Sequence, residues 1–202
     1  MKANHILKVT KEHNKPQSVD LTKGDDIYPE AIASDAVALP AVFVQIEKIA
    51  DRQRRITASV QIPQPVEQVW KVLTDYEALA DFIPNLTKSR LLEHPSGGTR
   101  LEQIGSGRLL RFNFCARVVL DLEEHEPKEI KFQLAEGDFK DFSGSWHLEP
   151  YFLGQCMGTN LQYIVKVWPK LTMPVGIIER RLSQDMELNL LAVRQRVEEL
   201  AS

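Results

Sequence analysis

The sequence predicts an α+β domain in which a curved antiparallel sheet wraps around one long C-terminal helix, with two short helices after the first core strand. Residues 108–124, RLLRFNFCARVVLDLEE, alternate between apolar and polar side chains, which is typical of a strand with one buried face. Residues 175–200 repeat apolar side chains at three- and four-residue steps, which is typical of an amphipathic helix. The inner face of the sheet is the one predicted surface long enough to cover that helix.

The first elements follow from local patterns. Residues 42–50 and 54–62 alternate around a short polar link, so they are predicted to form a hairpin. Pro65 suits the first turn of a helix that begins at VEQVW. Asp75 is expected to cap a second short helix, which Pro84 ends.

The middle of the chain is predicted to be a run of antiparallel strands, because turn residues and short links separate the alternating segments and no helix is available for parallel crossovers. Gly105–Gly107 and Gly154–Gly158 are interpreted as links. The predicted strands cover residues 87–94, 99–105, 108–124, 129–136, 141–150 and 159–169.

Composition limits the class of protein. The chain has 202 residues, of which 43% are hydrophobic and 26% charged, as in ordinary globular proteins. Residues 1–40 are polar, charge-mixed and weakly periodic, so we expect a flexible N-terminal extension followed by one domain over residues 41–202. A net charge of −3 and a pI near 6.0 argue against nucleic acid as a partner and allow at most transient contact with a membrane.

The sequence lacks the features of a membrane span, of a signal peptide and of a metal site. No apolar run approaches the roughly 20 residues of a membrane span, and the N-terminal segment lacks the apolar core of a signal peptide. Cys115 and Cys156 have no metal-ligand spacing and are predicted to be free thiols, and His125 and His147 are isolated along the chain. We therefore expect a cytoplasmic protein without a metal or cofactor.

Three segments carry a resemblance to a known family. They are ITASVQIPQPVEQVWKVLTDYEALADFIPNLTKSRLLE, EGDFKDFSGSWHLEP and MPVGIIERRLSQDMELNLLAVRQRVE. Together they resemble the START-like superfamily of polyketide cyclases/dehydrases and lipid-transport domains, and within it the coenzyme Q-binding branch. The likeness covers about residues 54–200. It implies the helix-grip fold and a cavity between the sheet and the last helix.

We place the candidate ligand site in that implied cavity and take its lining from the side chains that alternate toward the inner face of the sheet. The predicted lining residues are Phe112, Phe114, Phe132, Trp146 and Tyr163 on the sheet, and Ile178, Leu182 and Met186 on the helix. Two interpretations remain open: these side chains pack a solid core, or they surround a hydrophobic ligand.

Polar side chains are scarce at the predicted site. The inward positions of the strands carry no Asp, Glu, His, Arg or Lys, and Tyr163 and Trp146 are the polar groups there. No catalytic residue is predicted. Arg181 is expected on the polar face of the helix, and the basic residues 52, 54 and 55 and the pair 180–181 are interpreted as solvated surface.

The sequence thus favours non-catalytic binding or transport of a hydrophobic small molecule, which the resemblance suggests is a lipid or a prenylated quinone. One alternative is a polyketide cyclase/dehydrase-like enzyme that uses the same cavity, for which buried acid–base groups would be needed. A second alternative is a macromolecule-binding module associated with the ribosome, because a group within the resembled branch is linked to ribosomes.

Removal of residues 1–40 tests the predicted extension. Because this segment has little apolar surface to bury, its deletion should change the free energy of unfolding by less than about 1–2 kcal/mol. Urea denaturation of the full chain and of the truncated chain measures the difference. A larger loss would show that the extension docks on the domain.

Overall fold

The computed structural model describes residues 42–109, 112–153 and 156–202, without the side chains of residues 108–109, 112–114, 153 and 156. The predicted extension over residues 1–40 lies outside this description. The strands are β1 (Phe43–Ala50), β2 (Gln53–Ile62), β3 (Leu86–Leu92), β4 (Thr99–Leu109), β5 (Phe112–His125), β6 (Glu129–Gly137), β7 (Phe139–Leu153) and β8 (Cys156–Pro169). The helices are α1 (Val66–Thr74), α2 (Leu79–Phe82) and α3 (Val175–Ala201).

Over the described ranges, eight strands form one antiparallel sheet in the order β1-β2-β8-β7-β6-β5-β4-β3. Strands β3 to β8 follow one another as neighbours, and β8 then pairs with β2 from the start of the domain. Register shifts in the β5–β6 and β7–β8 ladders bend the long strands. The predicted fold class, a curved sheet around a long C-terminal helix, is confirmed.

The predicted strand over residues 108–124 is wrong at its start. Strand β4 ends at Leu109 and β5 begins at Phe112, and these two residues pair with each other, so residues 108 and 109 belong to β4. Gly105 and Gly107, which were expected to form a link, continue β4 and pair with Ala116 and Phe114. The alternation of apolar and polar residues continues from the end of β4 into β5, so it does not show where one strand ends and the next begins.

Two smaller predictions also need correction. β8 begins at Cys156, so residues 156–158, which were expected in the link Gly154–Gly158, belong to this strand. The side chain of Asp75 does not cap α2: the helix has no side-chain cap, and the backbone carbonyl of Asp75 instead accepts the N–H of Ala78 at 3.1 Å.

Helix α3 packs its apolar stripe against the inner face of the sheet. Met186, Leu190, Val193 and Val197 are almost completely buried. Burial of a side chain of this size stabilises the fold by about 1.5–3 kcal/mol. Leu200, the last residue of the predicted stripe, is exposed because it lies at the end of the helix.

The basic residues at the start of β2 and just before it are partnered, which corrects the interpretation of Arg52 and Arg54 as solvated surface. The guanidinium of Arg52 donates to the backbone carbonyls of Lys170 and Met173, at 2.9 and 2.7 Å. Arg54 forms an ion pair with Glu179 of α3. These contacts attach β2 to the segment that leads into α3 and to its first turns.

The outer face of the sheet carries a charged cluster centred on Glu102. This carboxylate is 3% exposed and contacts Lys88 at 3.0 Å, Arg90 at 2.6 Å and Arg117 at 2.7 Å. Hydrogen bonds from Arg117 and Lys88 lower the pKa of Glu102 to about 2. Val119, expected on the wet face, is buried as the direct partner of Glu102.

Replacement of Glu102 by Gln should reveal this cluster as a pH-dependent loss of stability. The folded-state pKa of about 2 lies below the usual value of 4.5, so the carboxylate stabilises the fold above pH 4.5 and loses that effect as the pH falls toward 2. Thermal unfolding of wild type and Glu102→Gln should therefore differ most near pH 7 and converge in acid. A difference that is constant with pH would contradict the assignment.

Candidate functional site

A cavity of about 170 Å³ lies between the inner face of the sheet and the first half of α3. The sheet contributes inward-facing side chains of β4 to β8, and the segment from α1 to β3 closes one side. Its apolar lining includes Leu73, Leu79, Ile83, Leu101, Ala116, Val118, Leu120, Leu122, Ile130, Phe132, Phe139, Phe142, Trp146, Val165, Leu182 and Met186.

Aromatic rings form one wall of the cavity. The rings of Trp146 and Tyr163 stack with centroids 3.7 Å apart and planes 5° from parallel. Phe132 lies 5.8 Å from Phe142 and 6.0 Å from Tyr163. Residues 132, 146 and 163 lie on neighbouring strands at inward positions, so the parity of the sheet assembles this wall.

Five of the eight predicted site residues line the cavity: Phe132, Trp146, Tyr163, Leu182 and Met186. Ile178 is 2% exposed and packs in the core, outside the described lining. The side chains of Phe112 and Phe114 lie outside the described residues. Their strand continues into Ala116, Val118 and Leu120, which line the cavity as the alternation predicts.

The expectation that Arg181 is solvated surface on the polar face of the helix is wrong. It is 9% exposed and lines the cavity with Asp185 and Asn189. Its Nε donates to Asp185 Oδ2 at 2.8 Å, and the amide of Asn85 donates to Asp185 Oδ1 at 3.2 Å. The cavity therefore has a polar end, which α3 contributes.

Two buried atoms at this polar end have no hydrogen-bond partner: Arg181 Nη2 and Asn189 Oδ1. Burial raises the pKa of Asp185, against the opposing effect of Arg181. Burial also raises the pKa of Tyr163, with a further contribution from the negative charge of Asp185. The tyrosine hydroxyl thus stays protonated at neutral pH.

Backbone features hold the polar end in place. Asn85 has a φ of 64°, in the left-handed region that asparagine tolerates better than most residues, and its carbonyl accepts the N–H of Ser106 at 2.8 Å. The guanidinium of Arg181 lies against Gly107, where any side chain on residue 107 would overlap it. Glycine at this position of β4 therefore makes room for the buried charge.

The sequence contained a signal for these residues. Arg181, Asp185 and Asn189 follow one another at four-residue steps, and each directly precedes a residue of the apolar stripe. On a helix this spacing places them in one row at the edge of the stripe. Such a row is buried when the sheet that covers the helix is wider than the apolar stripe. The sequence does not reveal the width of the sheet.

A Ser–His–Glu row occurs elsewhere, on β6 and β7. Ser145 Oγ lies 2.8 Å from His147 Nε2, and His147 Nδ1 lies 3.5 Å from Glu129 Oε1. None of the three lines the cavity, so no enclosed site for a substrate accompanies them.

Among the described residues, no group of His, Cys, Asp and Glu side chains could hold a metal ion, and no helix is long and apolar enough to cross a membrane.

The sequence profile of the polyketide cyclase/dehydrase and lipid transport family matches residues 62–191. The chain belongs to this family. The match includes the two short helices, the strands that line the cavity and most of α3. A search of curated proteins gives no match.

Solved structures share the fold. A START superfamily protein from Mycobacterium smegmatis is 20% identical with a TM-score of 0.60, over 72% of this chain and 98% of its own. The Zhui aromatase/cyclase from Streptomyces sp. R1128 is 19% identical with a TM-score of 0.60, over 74% and 96%. The STAR-related lipid transfer protein from Xanthomonas axonopodis is 17% identical with a TM-score of 0.55, over 77% and 98%.

Two leucines of α3 test whether the cavity is open space. Leu190 is fully buried away from the described lining, whereas Leu182 is half-buried on the cavity. Leu190→Ala should cost toward the upper end of the 2–5 kcal/mol typical of such truncations, and Leu182→Ala about 2 kcal/mol or less. Chemical denaturation of both variants measures this. Equal losses would indicate that the region around Leu182 is packed solid.

Proposed function

We propose that the protein binds and carries a hydrophobic small molecule, a lipid or a prenylated quinone, without changing it chemically. The observation that carries the proposal is the cavity between the sheet and α3, because its lining consists mostly of aliphatic and aromatic side chains. Binding sites for small molecules are typically apolar clefts with a few well-placed polar groups. The coenzyme Q-binding branch that the sequence resembles supports a quinone as the ligand.

The volume of the cavity limits how a long ligand can bind. At about 170 Å³ it is smaller than the 300–1,000 Å³ of usual ligand sites, so it can enclose a head group or part of a chain. The remainder of a lipid or prenyl chain would have to extend beyond the enclosed space. Met186 forms part of the wall, and its flexible side chain can adapt to ligands of different shape.

A matched pair of substitutions on α3 tests this proposal. Leu182→Asp places an unpaired carboxylate in the cavity, whereas Leu188→Asp places the same group at a position that is 41% exposed. Because a buried charge is costly, the Leu182 variant should retain a radiolabelled prenylated quinone at least tenfold less well than wild type. The Leu188 variant should retain it normally.

Circular dichroism establishes that both variants fold, and Leu182→Trp, which fills the cavity without a charge, should also lose retention. Organic extraction of purified wild type followed by mass spectrometry identifies any ligand acquired during expression. Absence of both quinone and lipid from wild type would contradict the proposal, as would equal effects of the Leu182 and Leu188 variants. A macromolecule-binding surface would then be the better account.

The polar end of the cavity favours a second candidate, a cyclase/dehydrase-like enzyme. Arg181 could stabilise negative charge that develops on a substrate oxygen, and Asp185 or Tyr163 could transfer a proton. Both oxygens of Asp185 already accept hydrogen bonds, which reduces its capacity as a base. Recovery of a bound compound with altered mass after incubation would favour the enzyme, and recovery of an unchanged compound would favour the carrier.

A further inference from the structure

Strand β1 ends the sheet with an open edge. Among the residues that the structure describes, β1 pairs with β2 on one side and with no strand on the other. Such an edge presents a row of backbone N–H and C=O groups that can pair with another strand, and proteins usually block it. β1 also lies outside residues 62–191, which match the family profile. The edge is therefore a feature of this chain rather than of the matched domain.

The side chains of β1 are apolar where an edge strand is usually protected. Phe43 is 66% exposed, Ile46 43% and Ile49 41%, and they lie at the start, in the middle and near the end of the strand. Exposed groups of large apolar residues typically mark a surface that another molecule covers. On β1 these residues accompany free backbone groups, so the strand offers both parts of a strand-pairing interface.

The two charged residues of β1 do not prevent pairing with a second strand. Glu47 forms an ion pair with Arg55 of β2 at 2.7 Å. Lys48 lies 3.8 Å from Asp51 in the link to β2. Both charges are thus offset within the same molecule, and little repulsion remains for an approaching strand.

The opposite edge of the sheet, at β3, is protected. Helix α2 contacts β3, and the backbone N–H of Leu91 donates to Glu77 Oε1 at 3.4 Å. A register shift after Leu86 also makes this edge irregular, which obstructs pairing. Pairing of β1 with β3 of another copy would in addition generate an open-ended chain of molecules, whereas pairing of β1 with β1 closes as a two-fold dimer.

The sequence of β1 is complementary to itself in one antiparallel register. Facing residues in an antiparallel pair point to the same side of the sheet. In a two-fold dimer one residue of β1 must therefore face its own copy. When that residue is Ile46, the two isoleucines pack together, Val44 faces Lys48 and Gln45 faces Glu47. The stem of the lysine can cover the valine, and the glutamine amide can donate to the carboxylate.

The two neighbouring registers are less favourable. In the register centred on Glu47, two carboxylates face each other, which is destabilising. In the register centred on Gln45, Phe43 faces Glu47 and Ile49 has no facing residue. In the register centred on Ile46, Phe43 comes next to Ile49 of the second copy. That register alone covers every large apolar residue that β1 exposes.

We propose that two copies of this chain associate through β1, antiparallel and centred on Ile46, and thereby join their eight-stranded sheets into one. The inference is independent of the proposed function, because the described lining of the cavity contains no residue of β1. β1 has eight residues, whereas a standard interface has about 20–30 residues on each side. We therefore expect a weak dimer, with a dissociation constant in the micromolar range.

Sedimentation velocity of the full chain at increasing concentrations tests the dimer. Wild type should change from monomer to dimer without forming larger species. Ile46→Lys and Ile46→Glu should each raise the dissociation constant by at least about tenfold, because like charges then face each other at the centre of the interface. An equimolar mixture of the two variants should form dimers again, since this register places the lysine opposite the glutamate.

Leu91→Lys is the matched control, because Leu91 is 48% exposed on the opposite edge strand, and this variant should dimerise as wild type does. Circular dichroism establishes that the variants fold. If the Ile46 variants do not fold, Phe43→Ser, at the most exposed of the three apolar positions, weakens association by a separate route.

Several results would overturn the inference. A wild-type protein that stays monomeric at every concentration excludes the dimer, and assembly into larger species excludes a closed pair. Loss of association in Leu91→Lys would show that β3 takes part. Failure of the mixed Ile46 variants to dimerise would exclude the register centred on Ile46.

Discussion

The packing of α3 against the inner face of the sheet is the interaction on which the rest of the structure depends. The second half of the helix, through Leu190, Val193 and Val197, is buried without bordering the cavity. The first half, from Arg181 to Asn189, lies on the cavity wall. One helix therefore both anchors the fold and forms the site, and the two functions are separated along its length.

The cavity owes its mixed character to this division. On the sheet, the alternation of side chains along each strand directs apolar and aromatic residues inward. Among the described strands that border the cavity, no inward position therefore carries a charged group. On α3 the covered surface is wider than the apolar stripe, so the polar row at its edge is enclosed as well. Gly107 and Asn85 accommodate that row through the absence of a side chain at one position and a left-handed backbone at the other.

The sequence predicted the regular parts of this arrangement and missed those set by tertiary contacts. Alternation placed Val118, Phe132 and Tyr163 on the correct face because each strand of the sheet obeys the same two-residue period. It could not locate the boundary between β4 and β5, since the alternation continues from Leu109 to Phe112 across it. The burial of Arg181 was not predicted because arginine side chains are usually exposed in folded proteins. Here the neighbouring sheet is wide enough to cover this position of α3 as well.

The pairing of β2 with β8 has a consequence for the order of folding. Strands β3 to β8 can form successively, because each pairs with the strand that follows it in the chain. The β2–β8 ladder, in contrast, joins segments from opposite ends of the described domain, such as Ile56 and Val165, and must wait for a long loop to close. Because α3 packs on β2, the helix has its full docking surface only after this late step. Until then the apolar face of the meander is exposed, so the stage before closure is the one at which the chain is most vulnerable to aggregation.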